Sequence, residues 1–211
     1  MNAVVYPWRP LLEHLSVAVL TSVDPDDQEY VRSLSSEVIT SGWLGYRGAR
    51  EDELSDLEAR LGVTLPPSYR QFLAVSNGWP SAPPLVNTFW PTEEVAWFRV
   101  RHQDWIDTAL ELAVRFNEPW PSDEEYFVYG EKQVPFDYRR EYLQTALEIS
   151  AVNTTILCIH LLNPQVVTPE GEWEAWSLST NLPSADRYRT FWDLMQSEYQ
   201  AYTSSGQVGG C

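Results

Sequence analysis

The chain has 211 residues, 44% of them hydrophobic and 13% aromatic, which is enough for one domain, or one domain with additions, and for a sizeable core. Its 14 Lys and Arg against 30 Asp and Glu give a formal net charge of −16. This charge argues against binding to nucleic acid or to an anionic membrane, because both need a basic surface. It favours a basic protein partner, and it would equally serve only to keep the protein soluble.

The two cysteines, Cys158 and Cys211, are too few for a disulfide scaffold, so a reducing compartment is the simplest expectation. The N-terminus lacks the basic, apolar and small-residue segments of a signal peptide. No apolar run approaches the ~18 residues of a membrane span. We therefore expect a cytoplasmic protein.

Residues 1–42 are predicted to form two helices that pack on the core. The first covers Pro10–Thr21, where apolar residues recur at helical spacing. The second starts at the turn signal Asp24-Pro25 and carries an apolar stripe to Ile39. No linker separates the two helices from the rest, so they are either a variable addition or part of the core.

The stretch Trp43–Trp79 carries the densest local signals. Apolar spacing and early acids predict a helix over Glu51–Leu61, and Gly62 can end it in the left-handed conformation. Pro66-Pro67 cannot continue a helix but suits the start of the next one, which ends at Asn77-Gly78. The plain interpretation is a helix–turn–helix packing module without chemistry of its own.

After a proline-rich loop, the pattern predicts one long helix among short strands. A strand is predicted over Leu85–Trp90, a helix start at Pro91–Glu94, a short helix or turn over Val95–Arg101, and a clear helix from Gln103 to Val114. The later predicted elements are strands at Tyr126–Tyr129, Leu143–Ile149, Thr155–Leu162 (ended by Asn163-Pro164) and Trp173–Leu178, then a helix over Ala185–Tyr202 and a disordered tail, 203–211.

An acidic and aromatic stretch, Glu118–Tyr126, is the first candidate for function. Large aromatic rings beside carboxylates are typical of a recognition surface, because aromatic residues dominate binding hot spots and acids attract a basic partner. The alternative is a solvated loop whose tryptophan packs into the core. The candidate partner-binding residues here are Trp120, Asp123, Glu124, Glu125 and Tyr126.

A second candidate group is Glu170, Glu172 and Glu174. At the alternating spacing of a strand, the three carboxylates would share one face. Like charges on one face repel each other, so we expect that face to meet solvent or a partner.

Catalytic chemistry finds little support. The chain has none of the phosphate-binding, dinucleotide-binding or nucleophile-elbow motifs. Cys158 and His160 would share a strand face, but a zinc site needs a second pair of ligands. Lys132 is the sole lysine and hence the sole Schiff-base candidate, and nothing around it in the sequence would activate it. We expect no catalytic residues, no metal and no cofactor.

The spacing of glycines, prolines and aromatic residues in the central stretch resembles that of the SMI1/KNR4 family, also called the SUKH superfamily. The matching residues are Glu58, Leu61-Gly62, Leu65-Pro66, Tyr69-Arg70, Phe72-Leu73 and Asn77-Gly78, supported by Leu161–Pro164, Gly171–Trp176, Arg187–Arg189 and Phe191. The resemblance covers roughly residues 40–200. It implies an α+β domain over 43–202, with a mixed or antiparallel sheet flanked by N-terminal helices and a C-terminal helix.

In bacteria, domains of this kind commonly act as immunity proteins that neutralise a cognate toxin, often a nuclease. The resemblance therefore implies stoichiometric occlusion of a toxin, and the basic groove of a nuclease would accept carboxylates in place of phosphate. The alternative from another class is an intracellular scaffold or regulatory adaptor of the same fold. An enzyme is a third possibility, supported only by the acid cluster at Asp123–Glu125.

Overall fold

The computed structural model describes residues 4–22, 24–82, 87–116, 120–153, 158–179 and 184–205. It shows the α+β architecture that the sequence predicts, with helices and one antiparallel sheet. The described residues divide into two compact units, one built from residues up to Glu93 and from residues 195–205, the other from Glu94–Leu194. The predicted boundary between residues 42 and 43 stays a prediction.

The helices in the described ranges are α1 (Trp8–Leu20), α2 (Pro25–Ser33), α3 (Ser36–Ser41), α4 (Glu51–Leu61), α5 (Pro67–Val75), α6 (Phe98–Arg115), α7 (Asp123–Tyr126) and α8 (Phe191–Ser205). Two 3₁₀ segments cover Gly130–Lys132 and Arg140–Thr145. The strands are β1 (Ala96–Trp97), β2 (Leu147–Glu148), β3 (Cys158–Val167), β4 (Trp173–Ser179) and β5 (Ala185–Tyr188). They form one sheet in the order β1-β2-β3-β4-β5, and every neighbouring pair is antiparallel.

In the first unit, α1 is tied to the central helices by specific hydrogen bonds. The indole N–H of buried Trp8 donates to the Ser68 carbonyl at 2.8 Å, and the Trp8 and Phe72 rings meet edge to face at 5.3 Å. The Ser16 hydroxyl accepts from the Leu44 N–H at 3.2 Å. Each bond gives a partner to a polar group that burial of the apolar face of α1 would otherwise leave unpaired.

The turn between α4 and α5 is held by Glu58. Its carboxylate accepts from the Leu65 N–H at 2.9 Å and lies 3.4 Å from the Arg70 guanidinium. Gly62 ends α4 at φ 72°, in the left-handed region, as predicted. These contacts explain the spacing of Glu58, Gly62, Leu65 and Arg70 along the chain.

The end of α5 is fixed by Asn77 and Gly78. The Asn77 side chain accepts from the Thr92 N–H at 2.8 Å and donates to the Thr92 hydroxyl at 3.3 Å. Gly78 has φ 87°, and a Cβ there would lie 2.7 Å from the Phe89 carbonyl oxygen. Trp79 pairs with Phe89 in a single antiparallel bridge. Of the strand predicted over Leu85–Trp90, residues 85 and 86 lie outside the described residues.

In the second unit, the sheet packs over a core of large apolar side chains. The core residues are Phe98, Ile106, Tyr126, Tyr138, Leu143, Ala146, Ile159, Leu161, Trp176, Leu178 and Ala185. The outer edge of β5 is covered, because the Ala185 N–H donates to the Pro135 carbonyl and the Arg187 N–H to the Gln133 side chain, each at 2.8 Å. A covered edge does not template pairing with another chain.

Several predicted boundaries near the chain's two ends are wrong. The second N-terminal helix is two helices, because Ser35 caps a new one: its hydroxyl accepts from the Val38 N–H at 3.3 Å. Ala185–Tyr188 is strand β5 and not the first turn of the last helix, which begins at Phe191. Residues 203–205, predicted as disordered tail, continue α8, and residues 206–211 lie outside the described ranges.

The middle of the chain also differs from its prediction. β3 continues through Asn163-Pro164, and its pairing with β4 shifts register before Val167. Such a bulge accommodates Pro164, which has no N–H to donate to the strand ladder. Tyr126–Tyr129 is the end of α7 and a coil, and most of Leu143–Ile149 is 3₁₀ or coil, with β2 only two residues long. The predicted helix start at Pro91–Glu94 is a turn, which leads through β1 into α6. The helix predicted from Gln103 is confirmed as part of α6.

Candidate partner-binding surface

The acidic stretch forms the short helix α7 because Ser122 caps it. The Ser122 hydroxyl accepts from the Glu125 N–H at 3.3 Å, and the Glu125 carboxylate accepts from the Ser122 N–H at 2.8 Å. This reciprocal capping box satisfies two backbone donors that the start of a helix leaves without partners. The hydrogen bonds from Ser122 lower the pKa of Glu125, so this carboxylate stays charged at neutral pH.

Four of the five residues predicted here are exposed. Asp123, Glu124 and Glu125 all face solvent, and Trp120 is 47% exposed. Phe127, which sequence reasoning missed, follows α7 directly and is 44% exposed. The α7 surface is defined below as Trp120, Asp123, Glu124, Glu125 and Phe127. Phe127 follows the acids directly in the sequence, and this position is the feature from which it could have been predicted.

The α7 surface is held in place by Arg139. The guanidinium donates to the Asp123 carboxylate and to the Tyr142 hydroxyl, the latter at 2.9 Å. It also lies 4.5 Å from the centre of the Tyr126 ring and 5.7 Å from that of Phe127. One cation thus positions the acid, the buried ring and the exposed ring of α7 together. The Glu124 carboxylate forms no ion pair or hydrogen bond with any residue in the described ranges, so its charge is open to a partner.

Tyr126 is not a surface residue, contrary to the prediction. Its side chain is fully buried and its hydroxyl donates to Glu174 at 2.5 Å. Burial raises the pKa of the Tyr126 phenol, and the charge of Glu174 raises it further. Tyr126 is the last residue of α7 and its side chain points into the protein, whereas the three acids before it lie on the exposed faces of the helix.

The predicted solvent-facing row of acids is also wrong. Glu170 is exposed in a turn where Gly171 has φ 85°, but Glu172 and Glu174 are buried. β4 begins only at Trp173, so Glu170 and Glu172 are not strand residues and the alternation that was expected to align the three acids does not apply. β4 lies between β3 and β5, and the Glu174 side chain is fully buried. Because they are buried, Glu172 and Glu174 do not present their carboxylates to a partner.

Glu174 is the centre of a buried polar network. Its two oxygens accept from the hydroxyls of Tyr126 and Tyr129 at 2.5 and 2.7 Å, from the Trp176 indole N–H at 2.6 Å and from the Asn163 amide at 3.0 Å. A buried carboxylate is tolerated when its oxygens are hydrogen-bonded in this way. Glu174 acts as an internal structural acceptor beneath α7.

Arg187 is another buried charged residue and lies against Tyr126, which the sequence pattern did not predict. It is fully buried, donates to the backbone carbonyls of Tyr126 and Val128, and lies 4.4 Å from the centre of the Tyr126 ring. Arg187 and Glu174 therefore hold Tyr126 from two sides, one at the ring and one at the hydroxyl. The only signal was its place in the weak Arg187–Arg189 motif, which gives no indication of burial.

The other residues considered for chemistry are Cys158, His160, Lys132 and Cys211. Cys158 and His160 are both buried on β3, where the Cys158 sulfur lies 3.0 Å from the Ser177 hydroxyl. Burial lowers the pKa of His160 to about 3. Lys132 is exposed in a 3₁₀ segment. Within the described ranges, no three His, Cys, Asp or Glu side chains are grouped as a metal site would require. Cys211 lies outside those ranges.

None of the helices in the described residues has the length and apolar character needed to cross a bilayer. A comparison with curated proteins gives no match. The model of the SMI1/KNR4 family (SUKH-1) matches residues 48–197, well over half of the chain. That range includes α4 and α5, the whole sheet and the α7 surface. On this match, the chain belongs to the SMI1/KNR4 family.

Proposed function

We propose that this protein is an immunity protein that binds a cognate bacterial toxin and neutralises it by stoichiometric occlusion. Members of its family commonly have this role. The observation that carries the proposal is the α7 surface, where two exposed aromatic rings flank three exposed carboxylates on one short, capped helix. Such a surface has the composition of a binding hot spot and the charge that attracts a basic partner.

The toxin is proposed to be a nuclease. A nuclease must expose a positive groove for the phosphate backbone. Carboxylates presented from a fixed helix can occupy that groove, and the surrounding rings can exclude water from the contact. With a net charge of −16, the protein also attracts a basic toxin from a distance and speeds the encounter. It acts by binding and not by turnover, and we place it in the cytoplasm, where a toxin's substrates are exposed.

The test is whether this protein neutralises the toxic product of a neighbouring gene, because an immunity gene is expected beside the gene of its toxin. The toxin is produced with and without this protein, and cell survival is scored. The purified toxin is then titrated with the protein in a nuclease assay. We expect inhibition to be complete at one equivalent, with a 1:1 complex by light scattering.

A variant pair locates the contact. Glu124→Lys reverses the free charge of the α7 surface, whereas Glu29→Lys makes the same change at an exposed position of α2. We expect the first to weaken neutralisation and the second to leave it intact. If no neighbouring gene product is toxic, or if the wild-type protein binds none of them, the proposal fails and the adaptor alternative gains support.

A further inference from the structure

The last turn of α6 carries two exposed apolar side chains on one face. Leu112 is 43% exposed and Phe116, which caps the helix, is 65% exposed. The Phe116 N–H donates to the Leu112 carbonyl at 2.9 Å, so the helical spacing of four residues is maintained between them. Residues four apart lie side by side on a helix surface. Together they form a small apolar ridge, defined here as the Leu112–Phe116 ridge.

The ridge is not needed by the core of its own unit. α6 faces that core with Ile106, and Trp105, Ala109 and Leu110 pack against the same cluster. A residue of a helix turns about 100° from its neighbour, so Leu112 stands roughly 120° from Ile106 and faces away from the core. Val114, which is 80% exposed, lies roughly 160° around the helix from Leu112. Val114 therefore belongs to the other flank and serves as an internal control.

The ridge lies close to the α7 surface along the chain. Four peptide units join Phe116 to Trp120, and they can span at most ~14 Å. A standard interface buries ~800 Å² on each partner, and a patch of that area is wide enough to include both residues. One interface of that size can therefore reach both the ridge and Trp120 of the α7 surface.

We propose that the Leu112–Phe116 ridge is the apolar anchor of the toxin interface and inserts into a hydrophobic pocket on the toxin. This inference rests on the proposed function. The α7 carboxylates then meet the basic surroundings of that pocket, which is the usual arrangement of an apolar centre within a polar rim. A second copy of the chain is a poor occupant, because two molecules of charge −16 would bring like charges together.

The experiment measures binding of the toxin, inactivated in its catalytic site, to matched serine variants. We expect Phe116→Ser to weaken the affinity about 30-fold or more, and Leu112→Ser about 10-fold, as for truncation of hot-spot residues. The loss should lie mainly in the dissociation rate. Val114→Ser removes a more exposed apolar side chain of the same helix and should change the affinity less than about 3-fold.

The outcomes separate this inference from the proposed function. If the wild-type protein binds the toxin but Phe116→Ser and Leu112→Ser bind as well as Val114→Ser, the ridge is not the anchor and the proposed function stands. If the wild-type protein binds no neighbouring product, both fall. If light scattering shows a dimer that Phe116→Ser converts to monomer, the ridge is a self-contact and the inference fails.

A second measurement covers a variant that fails to fold. Hydrogen exchange of the wild-type protein is followed with and without the toxin. The inference requires that the toxin slow exchange of the backbone amides at the C-terminal end of α6. Unchanged exchange there, with slowed exchange in α7, would overturn it.

Discussion

The Tyr126 hydroxyl donates a hydrogen bond of 2.5 Å to the Glu174 carboxylate across 48 residues of sequence. Tyr126 ends α7, and Glu174 lies on the interior strand β4. This bond therefore fixes the exposed acids of α7 to a buried residue of the sheet. A surface carried on a four-residue helix gains its rigidity from such a tether, because a helix of that length is not stable alone.

Glu174→Ala is expected to lower the free energy of unfolding by about 3 kcal/mol, because it leaves buried donors of Tyr126 and Trp176 without an acceptor. The measurement is equilibrium unfolding in urea, with the m-value checked for two-state behaviour. Glu170→Ala removes an exposed carboxylate from the turn before β4 and should have little effect. Equal effects of the two substitutions would show that the network contributes nothing to stability.

The local features were predictable from the sequence because they depend on single residues with strong backbone preferences. Gly62 and Pro66-Pro67 limit α4 and α5 within a few residues, and both helices appear where the pattern placed them. The exposed acids of α7 were also predictable, since consecutive carboxylates are seldom buried together.

The interior of the second unit was not predictable in this way. The sequence pattern places Glu174 on a strand, but it does not reveal that another strand lies on each side of β4. Nor does it reveal that three donors from distant residues reach the Glu174 carboxylate. Burial of Arg187 likewise depends on carbonyls of Val128 and Tyr126, roughly 60 residues away in the sequence. Tertiary contacts of this kind override local preference.

Gly48→Ala is expected to destabilise the first unit by about 3 kcal/mol. A Cβ at Gly48 would lie 2.0 Å from the Ala74 carbonyl oxygen, so the backbone of one segment must move. That movement would strain the hydrogen bond from the Ala49 N–H to the Leu73 carbonyl, now 2.8 Å.

The control for this substitution is Gly42→Ala. Gly42 has φ 65° but nothing within 4 Å of its added Cβ, so only the conformational cost of about 1 kcal/mol applies. Thermal and urea unfolding of both variants make the comparison. A smaller loss for Gly48→Ala than for Gly42→Ala would contradict the close approach seen here.

His160 should make the protein less stable as the pH falls. Its pKa is about 3 in the folded protein, because of burial, against 6.5 in the unfolded chain. Between those values the unfolded state binds a proton that the folded state does not, so stability drops on acidification from about pH 6.5 toward pH 3. The slope from this one group reaches about 1.4 kcal/mol per pH unit.

The contribution of His160 is isolated by comparing slopes and not absolute stabilities. His160→Gln should remove the slope of one proton between pH 6 and pH 4, even if it destabilises the protein overall. His14→Gln makes the same substitution at an exposed position of α1 and is the matched control. Identical slopes in all three proteins would mean that His160 is protonated in the folded state.

The association rate with the toxin should depend on the charge of the α7 surface in particular. Glu124→Lys is expected to lower the rate about 5-fold to 10-fold at low ionic strength, because it opposes a basic partner where the surfaces meet. The difference from the wild type should shrink as salt is added, since a Debye length of about 8 Å at physiological ionic strength screens the charge.

Glu29→Lys makes the same change in net charge on α2. Stopped-flow binding across a salt series measures both. A specific α7 contact predicts a large effect for Glu124→Lys and a small one for Glu29→Lys, whereas equal effects would assign the attraction to the net charge of −16 alone.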